Sequence, residues 1–356
     1  MAFDPETRTC LSFDDVLLVP GYSKIETRKD VCLQICDWEG ELIDVGKSSF
    51  RLPIFASPMD TVVDRQTAAM FANNGVSPIM HRYTSIDQQL IDYEAVLDCL
   101  SNDAAPVGVA ISSAAECLDR VGEFYDLGCR LFCIDVAHGH HALSISAVSD
   151  LRTMYDDIFI IAGNVATLDG FNALADSGAN AIRVGIGGGS VCSTRLVTGH
   201  GVPTFQSVID CANSDRDCFI IADGGIRNSG DVVKALAAGA DFVMLGSMFA
   251  GKLESPGDTK DVGGILYKNY RGMASKNAQL DWRGKVSVAE GVDSWRPVYE
   301  TVEQSIDRIT AGIRSGLSYS GCDNLADFYC SSEFVKITQA GQRENVPHAA
   351  GVILQQ

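Results

Sequence analysis

CFIIADGGIRNSGDVVKALAAGADFVMLGSM, residues 218–248, carries the alternation that decides the fold. An apolar, β-branched run ends on Asp223 and two glycines. A stretch with helical spacing follows, SGDVVKALAAG (229–239), with Ser229 placed as its N-cap. A second apolar run, FVMLGSM (242–248), ends on Gly246 and Ser247. Strand, helix and strand in that order form the repeat of a parallel sheet covered by helices.

The same beat runs upstream through IFASPM (54–59), GVSPIM (75–80), PVGVAIS (106–112), LFCIDVA (131–137), FIIAGNV (159–165) and AIRVGIG (181–187). Helix-period stretches lie between them, among them RQTAAMFANN (65–74), LRTMYDD (151–157) and GFNALADSG (170–178). Eight strands alternating with helices predict an α/β fold, a (β/α)8 TIM barrel, rather than an open doubly wound sheet. Ser57, Asp135, Asn164, Gly187, Asp223 and Gly246 fall at the C-terminal ends of the runs, the face on which barrel enzymes build their sites. GIGGGSVC is not a dinucleotide fingerprint. It comes late in the chain, and no acidic residue ends a following strand about twenty residues on.

With 356 residues, 46% hydrophobic and 21% charged, the chain can bury one large core. We expect a single catalytic domain over residues 1–356, with an N-terminal extension and a C-terminal segment from Thr310 to Gln356. A net charge of −18 argues against nucleic-acid and anionic-membrane partners, which need basic patches. MAFDPETRTC has no basic, apolar leader pattern, and no run of eighteen apolar residues occurs, so a soluble cytoplasmic protein is expected. Twelve cysteines are scattered without a disulfide framework, and Cys133 and Cys218 sit inside apolar runs. Cys32/Cys36 and Cys129/Cys133 have ligand spacing but no convincing histidine partner, so zinc is not expected.

RVGIGGGSVCSTR, residues 183–195, is the chemically richest stretch. Its glycines let backbone N–H groups approach an anion, and Cys192 just beyond them is placed to attack what the loop holds. That pairing points to covalent chemistry on a nucleotide-like ligand; a glycine loop with an incidental cysteine is the plainer alternative. Gly224, Gly225, Gly246 and Ser247, after the last two runs, stand where barrels commonly hold a phosphate. Asp223 suits a ribose diol, or else caps the helix that follows.

Taken together, LSFDDVLLVPGYS (11–23), SPMDTV (57–62), IDVAHGH (134–140), GNVAT (163–167), GIGGGSVCSTR (185–195), IADGGI (221–226), GSM (246–248) and YRGM (270–273) resemble the IMP dehydrogenase / GMP reductase family over essentially the whole length. The resemblance implies a nucleophilic Cys192 that attacks C2 of a purine nucleotide monophosphate, and an adduct that exchanges hydride with NADPH or NAD. It implies a phosphate site from Ser190, Gly224, Gly225, Gly246, Ser247 and Tyr270, with Asp223 on the ribose. Ser57, Met59, Gly272 and Met273 would line base and sugar. Asp135, Asn164 and Gly185 would face the cofactor. The carbonyls of Gly187, Gly189 and Cys192 would hold potassium. Thr194 would work beside Glu290 in leaving-group chemistry, although a solvated loop charge is the alternative reading of Glu290. A homotetramer is implied as well.

Within the family, the segment between Met273 and Glu290 favours the reductase, since it is short and has no Arg-Tyr pair to activate water. No regulatory tandem domain interrupts the passage from MHRYTSIDQQ to APVGVAIS, and MHRYTSI and FCIDVAHG resemble the reductase. Other features lean the opposite way. YRGM, AHGH and RENVPH look like dehydrogenases, and the reductase's Tyr-Arg is replaced by KVSVA. Gly188 stands in place of proline, Ala274 in place of serine or glycine, and Arg283 is a candidate stand-in for a missing arginine. The expected activity is therefore GMP reductase, with IMP dehydrogenase or action on a related purine as the alternative. A flavin-dependent barrel oxidoreductase and a non-catalytic nucleotide-binding relative stand further off.

Overall fold

The computed structural model describes residues 8–36, 40–114 and 116–347. All eight expected strands form: β1 (Ile54–Ala56), β2 (Ser77–Met80), β3 (Gly108–Ile111), β4 (Leu131–Asp135), β5 (Phe159–Val165), β6 (Ala181–Val184), β7 (Phe219–Asp223) and β8 (Phe242–Leu245). Each pairs in parallel with the next, and Val243 opposite Ile54 closes the barrel. Such strands are covered on both faces, which is why they read as unbroken apolar runs.

The helices among the described residues are α1 (Arg65–Asn73), α2 (Ile86–Leu97), α3 (Glu116–Asp126), α4 (Ala142–Met154), α5 (Leu168–Asp176), α6 (Thr194–Thr198), α7 (Thr204–Cys211), α8 (Ser229–Ala237), α9 (Lys276–Arg283), α10 (Val302–Tyr319), α11 (Leu325–Ser331) and α12 (Gln339–Gln342). Asp64 caps α1 in a box with Thr67, and Thr167 caps α5. The expected cap at Ser229 is corrected by one residue. Asn228 has the extended backbone (φ −154°) and accepts from Asp231 N, which makes Ser229 the first helical residue.

Along each strand, alternate residues share the barrel axis, so the sequence sorts itself by height. At the N-terminal end, Phe55, Phe159, Phe219 and Phe242 gather around Phe50, whose ring lies 5.0–5.5 Å from three of them. Phe50 is fully buried. Four residues further along β7, Asp223 reaches the other end, and Asp135 does the same on β4.

Further strands lie outside the expected alternation, among them a short hairpin of Asp44–Val45 and Ser48–Ser49. Val16–Leu18 pairs antiparallel with Phe334–Lys336, tying the N-terminal segment to the C-terminal one. Between β8 and α10 stands a three-stranded antiparallel sheet of β9 (Thr259–Val262), β10 (Ile265–Arg271) and β11 (Asp293–Pro297), with α9 inserted between the last two strands. Among the described residues no helix is long and apolar enough to cross a membrane, and no group of three or more candidate ligands could hold a zinc-like ion. Residues 1–7 of the leader reading and His348 of RENVPH lie outside the described residues.

Candidate active site

The C-terminal ends of the strands and the inserted sheet enclose a cleft of about 580 Å³. Cys192 lines it and is exposed, whereas burial pushes the Cys133 thiol, deeper in the barrel, up to about 12. The Cys192 thiol donates to Thr194 Oγ1 at 3.2 Å.

Backbone pairing brings Glu290 to this loop. Ser193 N donates to Glu290 O at 2.9 Å, Val292 N donates to Val191 O at 2.9 Å, and Cys192 bridges Gly291. Glu290, nearly a hundred residues beyond Cys192 and Thr194, therefore lines one cleft with them.

At the far side of the same loop, the glycine backbones after β6 and β7 touch. A Cβ on Gly224 (φ +88°) would stand 2.9 Å from Gly189 N, so no other residue permits this approach. Gly246 faces Ser57, Met59 and Tyr270, since a Cβ there would lie 3.1–3.3 Å from Met59 Sδ, Ser57 Oγ and Tyr270 Oη. Tyr270 hangs from β10, and its hydroxyl accepts from Ser190 Oγ at 3.4 Å. Burial raises its pKa, which keeps that hydroxyl a donor. Ser247, Gly225, Gly272 and Met273 line the same cleft. Gly188 needs no special φ, yet a Cβ there would meet Thr204 Oγ1 at 2.5 Å, so the loop and α7 leave no room for a larger residue.

On the cleft floor lies a pair of ionic contacts, centred on Arg183, that the sequence reading missed. Arg183 on β6 donates to Asp135 Oδ1 at 2.5 Å and to Asp223 Oδ2 at 2.9 Å. Asn164 Nδ2 adds a bond to Asp223 Oδ2 at 2.7 Å and another to Gly185 O at 2.9 Å. Asp223 therefore caps no helix. Gly163 makes room for the arginine, as a Cβ there would lie 2.7 Å from Arg183 Cβ. Burial alone would raise the Asp135 carboxyl; the charges of Arg183 and Arg82 outweigh it and hold the carboxyl below its ordinary value. One signal was available: a lone arginine inside the apolar strand AIRVGIG.

Asp135 also receives Tyr83 Oη at 3.2 Å, and its backbone carbonyl receives Arg82 Nε at 3.2 Å. The Tyr83 ring meets the edge of Trp282 on α9 at 5.2 Å, and Arg283 lies over Trp282 at 4.0 Å. All four side chains line the cleft. No spacing rule marks Arg82, Tyr83 or Trp282 as members of the site. They meet because the segment after β2 reaches Asp135 at the end of β4 and there packs against α9.

The fold agrees with comparisons to known proteins. The family model described as "IMP dehydrogenase / GMP reductase domain" matches residues 10–348. An inosine-5'-monophosphate dehydrogenase of Nitrosopumilus maritimus is 35% identical over 342 residues, covering 85% of this chain and 72% of that protein. One from Borreliella burgdorferi is 32% identical, covering 96% and 97%. The chain spans about half of some other relatives, for example 52% of the Halalkalibacterium halodurans enzyme, at 42% identity over 68% of this chain. A crystal structure of a GMP reductase variant from Trypanosoma brucei in complex with guanosine 5'-monophosphate superposes with a TM-score of 0.88 at 26% identity, covering 97% of this chain and 99% of that one. The chain belongs to the IMP dehydrogenase / GMP reductase family, whose members are purine nucleotide oxidoreductases.

Proposed function

We propose that this protein is a GMP reductase, converting GMP to IMP and ammonia with NADPH through a covalent adduct on Cys192. The observation that carries this reading is the wall between Met273 and Glu290. It is a two-turn helix and a short return, with no Arg-Tyr pair to deliver water to an adduct.

In this reading the phosphate rests on the N–H groups of Gly225, Gly246 and Ser247, with Ser190 and Tyr270 donating hydroxyls and Gly224 giving the close approach. Asp223 accepts the ribose hydroxyls, while Ser57, Met59, Gly272 and Met273 enclose the sugar and base. The Cys192 sulfur forms a bond to C2, and its proton passes through Thr194 to Glu290, which returns it to the departing amine. Ammonia leaves, and the C2–S bond breaks once C2 has gained a hydride, giving IMP.

Asp135, Asn164 and Gly185 would hold the nicotinamide cofactor. Asp135 is kept ionised by its arginines, and the buried Trp282 Nε1, without a partner among the described residues, leaves a donor at that end of the cleft. When bound, the cofactor supplies the hydride. The carbonyls of Gly187 and Cys192 accept no hydrogen bond among the described residues, and Gly189 O takes Cys192 N at 3.0 Å. This all-oxygen set suits potassium. The protein acts in this reading as a cytoplasmic homotetramer with no inserted regulatory domain.

IMP dehydrogenase is the second reading, favoured by the names of the sequence relatives and by Arg283 in the cleft wall. One preparation separates the two. NADPH oxidation with GMP supports the reductase, and NAD reduction with IMP as the only turnover overturns it. Glu290→Gln should slow amine release more than hydride transfer in single-turnover traces.

A further inference from the structure

Residues 284–290 follow α9 without regular structure and carry Glu290 into the cleft wall. Most of this return is exposed, yet one buried side chain anchors it. Gln279, 3% exposed, donates from Nε2 to Ala274 O at 2.9 Å and to Val288 O at 3.1 Å. Its Oε1 accepts from Ser287 N at 2.9 Å and Ser287 Oγ at 3.0 Å. A carboxamide has two donor hydrogens and two acceptor positions, and here all four are used. Ala274 O takes a second bond, from Glu290 N at 3.1 Å, and Glu290 O accepts from Ser193 N beside the thiol. A single carbonyl thus joins the Gln279 amide to the backbone of Glu290, and Glu290 to the Cys192 loop.

We infer that Gln279 is the positioning residue for Glu290, the clamp that holds the return of the cleft wall at the height where the carboxylate meets the adduct. The inference rests on the proposed role of Glu290 in proton transfer. Gln279 itself need touch no reacting atom. It fixes the backbone just before α9, at Ala274, and the middle of the return, at Ser287–Val288, to one amide on a capped helix. Without it those backbone groups turn to water, since the return is exposed, and the barrel beneath keeps its own core.

The test uses the whole chain with GMP and NADPH. Gln279→Met keeps size and loses all four bonds, and is expected to lower kcat about 10- to 100-fold with KM for GMP little changed, because the phosphate grip lies elsewhere. In a Glu290→Gln background the same change should cost nothing further. Gln279→Glu sets a carboxylate against two carbonyls at neutral pH, and regains one donor when protonated. Its kcat relative to native enzyme should therefore rise as pH falls. Hydrogen exchange of residues 284–292 should quicken in Gln279→Met while the barrel strands keep their protection.

Native exchange rates across 284–292 in Gln279→Met overturn the clamp. Equal losses of kcat in both backgrounds, or a flat pH ratio for Gln279→Glu, overturn its action through Glu290. Quickened exchange with native turnover overturns the positioning role, whereas native turnover in Glu290→Gln alone fails the functional reading of Glu290.

Discussion

The two ends of this barrel are made from the same eight strands and are chemically opposite. On β7, Phe219 packs against Phe159 and Phe242 at one end, while Asp223 at the other holds Arg183. The N-terminal end is closed by aromatic packing around Phe50, which tolerates loss of an exact partner at the cost of a cavity. The C-terminal end is held by directional bonds between charged and polar groups, where a missing partner leaves an uncompensated charge. The difference is between two ways of holding one fold: at the bottom the loss of a ring opens a cavity, and at the top the loss of a partner strands a charge beside the chemistry.

Cys192→Ala should give the largest functional effect: turnover disappears, while GMP binding by calorimetry and the melting temperature stay near native values. Residual turnover above about a thousandth of native would remove the thiol from the mechanism. Arg183→Met should touch stability and nucleotide binding at once, because its partner Asp223 lines the cleft. It leaves Asp223 without an ion pair among the described residues and Asp135 with Arg82 alone, costing on the order of 3–5 kcal/mol in urea denaturation, and it also weakens nucleotide binding. If stability falls but GMP affinity holds, the ion pairs serve the fold alone. Phe50→Ala should cost about 3–5 kcal/mol as well, and leave KM for GMP unchanged, because its cavity opens at the far end.

Asp241, at the start of β8, gives the smallest effect. It accepts Ile220 N at 2.7 Å and forms no ion pair among the described residues, and burial raises its carboxyl to about 7. Folded pKa exceeds unfolded pKa, so the stability it contributes is complete below the ordinary aspartate value and is lost as pH rises through about 7. Asp241→Asn should therefore raise the melting temperature by about 2 °C at pH 8 and hardly at all near pH 4. An equal shift at both pH values would contradict this.

How legible each part was in the sequence follows from the same physics. Barrel strands are buried on both faces, so their apolar runs stand out, and their polar ends mark the catalytic face. Cys192 and the glycines announce themselves for the same reason, since few folds need that density of glycine beside a thiol. The inserted sheet was not visible. All four residues of β9 are exposed, and the strand exists because Ile265–Arg271 pairs with it. Asn228 and Ser229 are both good caps, and only the backbone angle at Asn228 decides between them. Gln279 sits in the polar helix KNAQLDWR, where one glutamine looks like any other until the return folds over it.

The central claim is that Cys192 carries the purine during turnover, and intact-protein mass spectrometry tests it most directly. Enzyme quenched in acid during turnover with GMP and NADPH should carry a nucleotide-sized mass increase that maps to the peptide containing Cys192 and is missing from Cys192→Ala. Active turnover with no such adduct, or with the adduct on another cysteine, would contradict the account.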